Sequence, residues 1–161
     1  MPAGTVLTDA QYAAYLAGEL YFNVHTAANP GGEIRGQINQ SGGVTMGIAT
    51  LSGAEEVPPS GSAATGSGMI VFDSATRAVI VAYETHNVAN TTVSHIHTGP
   101  VGVSGPADVL TLAAGTNLYA APNPSTLTAQ NVADMLAGNT CFNVHSTAFP
   151  AGEIRGQIRV L

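Results

Sequence analysis

The string Phe-Asn-Val-His occurs twice in this chain, at Phe22 and again at Phe142, and each copy is followed after a short loop by Gly-Glu-Ile-Arg-Gly-Gln-Ile. The offset is 120 positions, and more than half of residues 7–38 are identical to residues 127–158. Both copies must therefore satisfy one local geometry. Phe and Val alternate with Asn and His in the first string, and Ile alternates with Glu, Arg and Gln in the second, which predicts two antiparallel strands joined by a loop. If the apolar set faces a core, His145, Glu153 and Arg155 emerge together on the polar face. Ahead of each hairpin, Thr8 or Asp9 and Thr128 can cap a short helix, and Gly18 and Gly138 are placed to end it with a left-handed residue.

Between the repeats the apolar pattern has period two and frequent turn signals, so strands are expected rather than helices. Residues 44–51 read as one strand, and residues 68–73 and 78–85 as a hairpin in which Val79, Val81 and Tyr83 share a face. Residues 93–97 form another strand, halted by Gly99-Pro100, and residues 108–112 follow a loop rich in Gly and Pro. The fold class expected is all-β, an antiparallel Greek-key β-sandwich with two short helices. Residues 41–161 read as the complete domain and residues 1–40 as a partial repeat of its C-terminal segment.

The chain has 161 residues, 45% of them hydrophobic, enough for one ordinary core and a partial unit. Charged residues make up 9% against roughly 25% in typical domains, and there is no Lys. Four Arg and a formal net charge of -6 leave no basic patch, which excludes nucleic acid as a partner. The single cysteine, Cys141, cannot form an internal disulfide and is expected as a small buried side chain. No apolar run approaches the roughly 20 residues of a transmembrane helix, and residues 1–5 lack the pattern of a signal peptide.

His95 and His97 flank Ile96, so both imidazoles project from one face of a strand with Cα atoms roughly 7 Å apart. His145 is the candidate third ligand. Neutral imidazoles suit copper or zinc, and three of them leave an open coordination position for a small ligand. Glu153 and Arg155 lie beside this set, either paired with each other in a salt bridge or with Glu153 accepting from a ligand histidine and orienting it. His86, by strand parity opposite Val81 and Tyr83, reads as an exposed side chain.

These residues carry a resemblance. Leu51-Ser52-Gly53-Ala54-Glu55-Glu56-Val57-Pro58-Pro59, Thr65-Gly66-Ser67-Gly68, His95-Ile96-His97-Thr98-Gly99-Pro100 and the NVH to GEIRGQI ending resemble the CHRD (chordin-type) domain family. The resemblance implies an extracellular or cell-envelope β-sandwich related to the Cu/Zn superoxide dismutase fold. In that more distant family an HVH strand and a later VVH strand supply copper ligands and a late arginine guides the anionic substrate; His95, His97, His145 and Arg155 look like their counterparts. The chain has no bridging histidine, no zinc loop rich in His and Asp, and no disulfide partner, so the site implied is mononuclear. Superoxide chemistry is open to such a copper, but the residues alone do not make the chain an enzyme.

His25 copies His145, and Arg35 copies Arg155, yet no second HxH strand exists to complete a second site. Three arrangements account for this. The chain is a piece of a tandem array, or the half unit docks on its own domain, or it completes a neighbouring molecule by strand addition. The last implies self-association through the N-terminal repeat, with His25 as an intermolecular metal ligand, and a structural surface or matrix protein that assembles into oligomers or filaments.

Overall fold

The computed structural model describes residues 6–38, 43–114 and 118–161. The chain divides into two compact units, Met1–Gly42 and Gly43–Leu161. The boundary expected at residues 40 and 41, and the leader question at residues 1–5, fall outside the described residues.

The first unit holds helix α1 (Asp9–Leu16) and strands β1 (Tyr21–Val24) and β2 (Ile34–Gln37). A capping box opens the helix: Gln11 N–H donates to the Thr8 hydroxyl, and Thr8 N–H donates to the Gln11 side chain at 2.9 Å. Gly18 at φ +69° ends it, as left-handed residues do after helices. Strands β1 and β2 pair antiparallel, with Phe22 opposite Gly36 and Val24 opposite Ile34. None of the unit's described residues is buried.

The second unit runs β3 (Val44–Ser52), a 3-10 turn at Gly53–Glu55, β4 (Thr65–Asp73), β5 (Ala78–His86), β6 (Thr91–Thr98), β7 (Leu110–Ala114), β8 (Tyr119–Ala120), β9 (Ser125–Thr126), α2 (Ala129–Leu136), β10 (Thr140–Ser146), β11 (Ile154–Gln157) and β12 (Arg159–Val160). The all-β class with two short helices is as the sequence indicates. The expected pair of separate sheets is not. Neighbouring strands follow the order β11, β10, β6, β7, β8, β5, β4, β3, and β11 pairs back to β3 through Arg155 and Ser52, so eight antiparallel strands close into a barrel. Closure removes the open edges that a two-sheet reading would leave.

Leu51, Ile70, Phe72, Ile96, Leu112, Met135, Phe142, Val144, Ile154 and Ile158 fill the interior, each at most 1% exposed. Phe142 reaches across to β4 because Gly68 offers no side chain; a Cβ there would lie 2.6 Å from the Phe142 ring. Helix α2 closes one side with Val132 and Met135, and its Thr128–Asn131 capping box repeats that of α1.

One face assignment fails, for a local reason. Val71 pairs with Val81 but Phe72 pairs with Val79, which leaves Ile80 as an extra residue in β5. This bulge reverses parity along the strand. Val79 therefore lies in the core with Ala82 and Glu84, while Ile80 and Val81 are exposed.

Candidate metal centre

Strand pairing assembles the site. Along β6 and β10, Cys141 lies opposite His97, Asn143 opposite His95, and His145 opposite Val93, so the three histidines share the outer face of the barrel wall. Ile96 points inward and is fully buried. A register shift sits beside His145, where Ser146 pairs with Thr91 and Thr92 is passed over. On the next strand Arg155 is opposite Asn143 and Gln157 opposite Cys141, which extends the polar face.

Although this face is outside the barrel, loops cover it. The loop of residues 99–108 folds back on the end of β6, where Thr98 N–H reaches the Pro106 carbonyl at 3.1 Å. Gly105 permits that approach, since a Cβ at this position would overlap the Thr98 carbonyl oxygen. Arg155, 3% exposed, holds the start of the loop: its Nη2 donates to the Pro100 carbonyl at 2.9 Å and to the Gln157 side chain at 3.0 Å. Gln157 in turn donates to the Gly99 and Gly138 carbonyls at 2.9 and 2.7 Å.

The covering loops also orient the rings. His97 Nδ1 lies 2.9 Å from the Gly105 carbonyl oxygen, and His145 Nδ1 lies 3.1 Å from that of Pro150. A carbonyl only accepts, so each Nδ1 carries the proton and each Nε2 presents a lone pair. Those two Nε2 atoms face each other at 3.4 Å. Neither has a proton for the other. His95 completes the set, its ring centroid 5.5 Å from that of His97 and 5.1 Å from that of His145, and its buried Nδ1 has no hydrogen-bond partner. Burial pushes all three imidazoles below their ordinary range, and a neighbouring imidazole adds to the effect in His95 and His97. Three neutral nitrogen ligands with ligand atoms within 4.8 Å of one another can hold a metal ion.

A CHRD domain model matches residues 2–38 and 48–158. The chain belongs to the CHRD domain family. No curated protein and no solved structure gives a significant match.

The other candidates of this CHRD chain lie as follows. Glu153 does not meet a ligand histidine: its carboxylate accepts from Ser62 at 2.8 Å and from Ser146, while backbone carbonyls orient His97 and His145. Arg155 makes no ion pair with it. His25 belongs to the first unit. Cys141 is buried, free, and its thiol is pushed up by burial.

Two further carboxyls, Glu56 and Glu84, are buried with no metal-ligand spacing in the sequence to mark them. Glu56 stands near Arg155 and Asn143, and burial pushes its carboxyl up to about 7 against the pull of the Arg155 charge. A void of about 10 Å³ lined by Glu56, His97, Cys141, Asn143 and Arg155 separates it from the triad, room for roughly one water. Glu84 and His86 form the other buried pair, Oε1 to Nε2 at 3.6 Å. The β5 bulge that carries Glu84 inward carries His86 with it, which is why the expectation of an exposed His86 fails. For Glu56 the sequence signal is the Glu-Glu-Val-Pro-Pro run that contains it; Glu84 and His86 stand in a strand with no such signal.

Proposed function

We propose that the second unit is a mononuclear copper-binding module acting outside the cytoplasm, with His95, His97 and His145 as the ligands. One observation carries the reading: two imidazoles whose Nδ1 protons are committed to carbonyls face each other through Nε2 at 3.4 Å, beside an unpartnered Nδ1 of His95. A buried polar atom without a partner is costly, and two lone pairs in contact are worse. A cation between the rings satisfies all three nitrogens at once.

An all-imidazole set suits copper above calcium or magnesium, and zinc is the alternative. A bound copper with an open position supplies redox cycling with a small ligand such as superoxide. The residues of the chain do the holding: the carbonyls of Gly105 and Pro150 set the ring orientations, and Arg155 anchors the covering loop through Pro100. In this reading Arg155 is a positioning residue rather than an anion guide. Extracytoplasmic placement is supported by the family resemblance.

Metal analysis after copper or zinc loading, together with electron paramagnetic resonance of the Cu(II) form, tests the assignment. One ion per chain with nitrogen hyperfine structure is expected. Binding that survives replacement of all three histidines by Ala would falsify it.

A further inference from the structure

The first unit reproduces the closing hairpin of the second at the level of individual hydrogen bonds. His25 Nδ1 lies 2.9 Å from the Pro30 carbonyl, as His145 Nδ1 lies 3.1 Å from that of Pro150. Gln37 Nε2 donates to the Gly18 carbonyl at 2.6 Å, as Gln157 Nε2 does to that of Gly138 at 2.7 Å. The Thr26 hydroxyl donates to Glu33 as Ser146 does to Glu153. All these bonds are internal to the hairpin and the preceding helix end. Local sequence alone therefore builds the element and leaves His25 Nε2 presenting a lone pair.

What local sequence does not build is a cover. Phe22, Val24 and Ile34 are 72%, 50% and 65% exposed, whereas Phe142, Val144 and Ile154 are each 0% exposed. In the second unit the cover is the rest of the barrel: β6 pairs along the length of β10, Ser52 of β3 pairs with Arg155, and Gly68 of β4 lies under the Phe142 ring. β1 pairs only with β2, so the edge equivalent to the one β6 occupies carries no strand among the described residues.

We infer that the first unit is the closing hairpin of another CHRD body. Its occupant is an open barrel with the make-up of residues 43–126, lacking its own last hairpin and laying a His-x-His strand along Tyr21–Val24. His25 is then the third ligand of a second metal centre. The identity of the occupant follows from the second unit, where the same face and edge meet one kind of partner, and the CHRD match to residues 2–38 supports it. The ligand role rests on the copper reading of His95, His97 and His145; the docking does not.

One position distinguishes the partner from residues 43–126 themselves. Tyr21 stands where the second unit has Cys141, and the Arg35 guanidinium lies 3.5 Å from the Tyr21 ring centroid instead of reaching a loop carbonyl. The partner's wall beside the second histidine of its HxH strand must therefore be wider than that around His97.

The test is a chain carrying an additional copy of residues 43–126 directly ahead of Leu7, in the order in which residues 43–126 precede Leu127. It is made with Tyr21 and with the substitution Tyr21→Cys. Expected for the Tyr21→Cys form are a second copper per chain, lost in a His25→Ala version, and slowed hydrogen exchange at Phe22 and Val24. The original second unit serves as the internal folding control. Exchange at Phe22 and Val24 as fast as in the native chain, with metal content unchanged, overturns the proposal. If the native chain binds no copper at all, the metal reading fails while the exchange measurement still decides the docking. A native chain that dimerises, and is returned to monomer by Phe22→Asp, would make a second copy the occupant and also overturn it.

Discussion

Glu84 has no exposed surface, and neither oxygen of its carboxyl has a hydrogen-bond partner. Burial pushes it from 4.5 up to about 7. The sign follows from proton counting. Between pH 4.5 and about 7 the unfolded chain has released this proton and the folded chain still holds it, so each step upward in pH destabilises the fold. Below that window the group contributes no penalty; above it the whole penalty is present, roughly 3 kcal/mol as a ceiling. Glu56, raised to about 7 as well, adds a fall of the same sign. Glu84→Gln keeps the shape and removes the charge. Urea unfolding of metal-free protein at pH 5 and pH 8 should show the variant more stable than the native chain at pH 8, with the difference shrinking at pH 5. An equal change of stability with pH in the two proteins would show that Glu84 ionises as readily in the fold as in the unfolded chain, with no burial penalty.

The loop of residues 99–108 is the element that converts an HxH strand into a preorganised site, because the Gly105 carbonyl fixes the tautomer of His97. Gly105→Ala pushes a methyl group into the Thr98 carbonyl and moves that acceptor. Loss of such orienting contacts lowers metal affinity about 10- to 100-fold. Copper titration of the Gly105→Ala variant should show that drop with the barrel's circular dichroism retained; unchanged affinity would remove the loop from the site. The two hairpins allow a second comparison. Strand β10 is buried along its whole length while β1 is not, so β10 amides should exchange only on opening of the barrel and β1 amides through local fraying. Comparable protection of Val24 and Val144 would contradict this. Capping residues, hairpins and the shared face of His95, His97 and His145 were legible in the sequence because each depends on neighbours within a few positions. The Ile80 bulge was not, since apolar Val79, Ile80 and Val81 fit either face and only pairing with β4 decides. Nor could period two show that Arg155 would meet Ser52 and close the sheet, a contact between distant stretches of chain.

At the scale of the second unit, the histidines join β6 to β10, the strand that leads into the closing pair β11–β3. A metal that binds the folded arrangement and not the unfolded chain stabilises the whole barrel by mass action, about 2.7 kcal/mol at a free concentration 100 times Kd. For a unit of this size that is a rise in Tm of roughly 10 °C. The rise depends on pH with a definite sign. Metal competes with protons for the imidazoles, and burial holds all three folded-state histidines below 6.5, so the folded site stays neutral, and available to metal, at more acidic pH than free histidine would. The same depression destabilises the metal-free fold as pH falls below 6.5, because the unfolded histidines take up protons first. Copper should therefore raise Tm at pH 7 and still do so, by less, near pH 6. Scanning calorimetry of the chain and of its His95→Ala, His97→Ala, His145→Ala triple variant separates this from nonspecific binding: the variant should show no copper-dependent rise at either pH. A variant that gains as much as the native chain would place the copper elsewhere, and the facing Nε2 atoms would then need a proton between them, through an imidazolium or a change of tautomer in one ring.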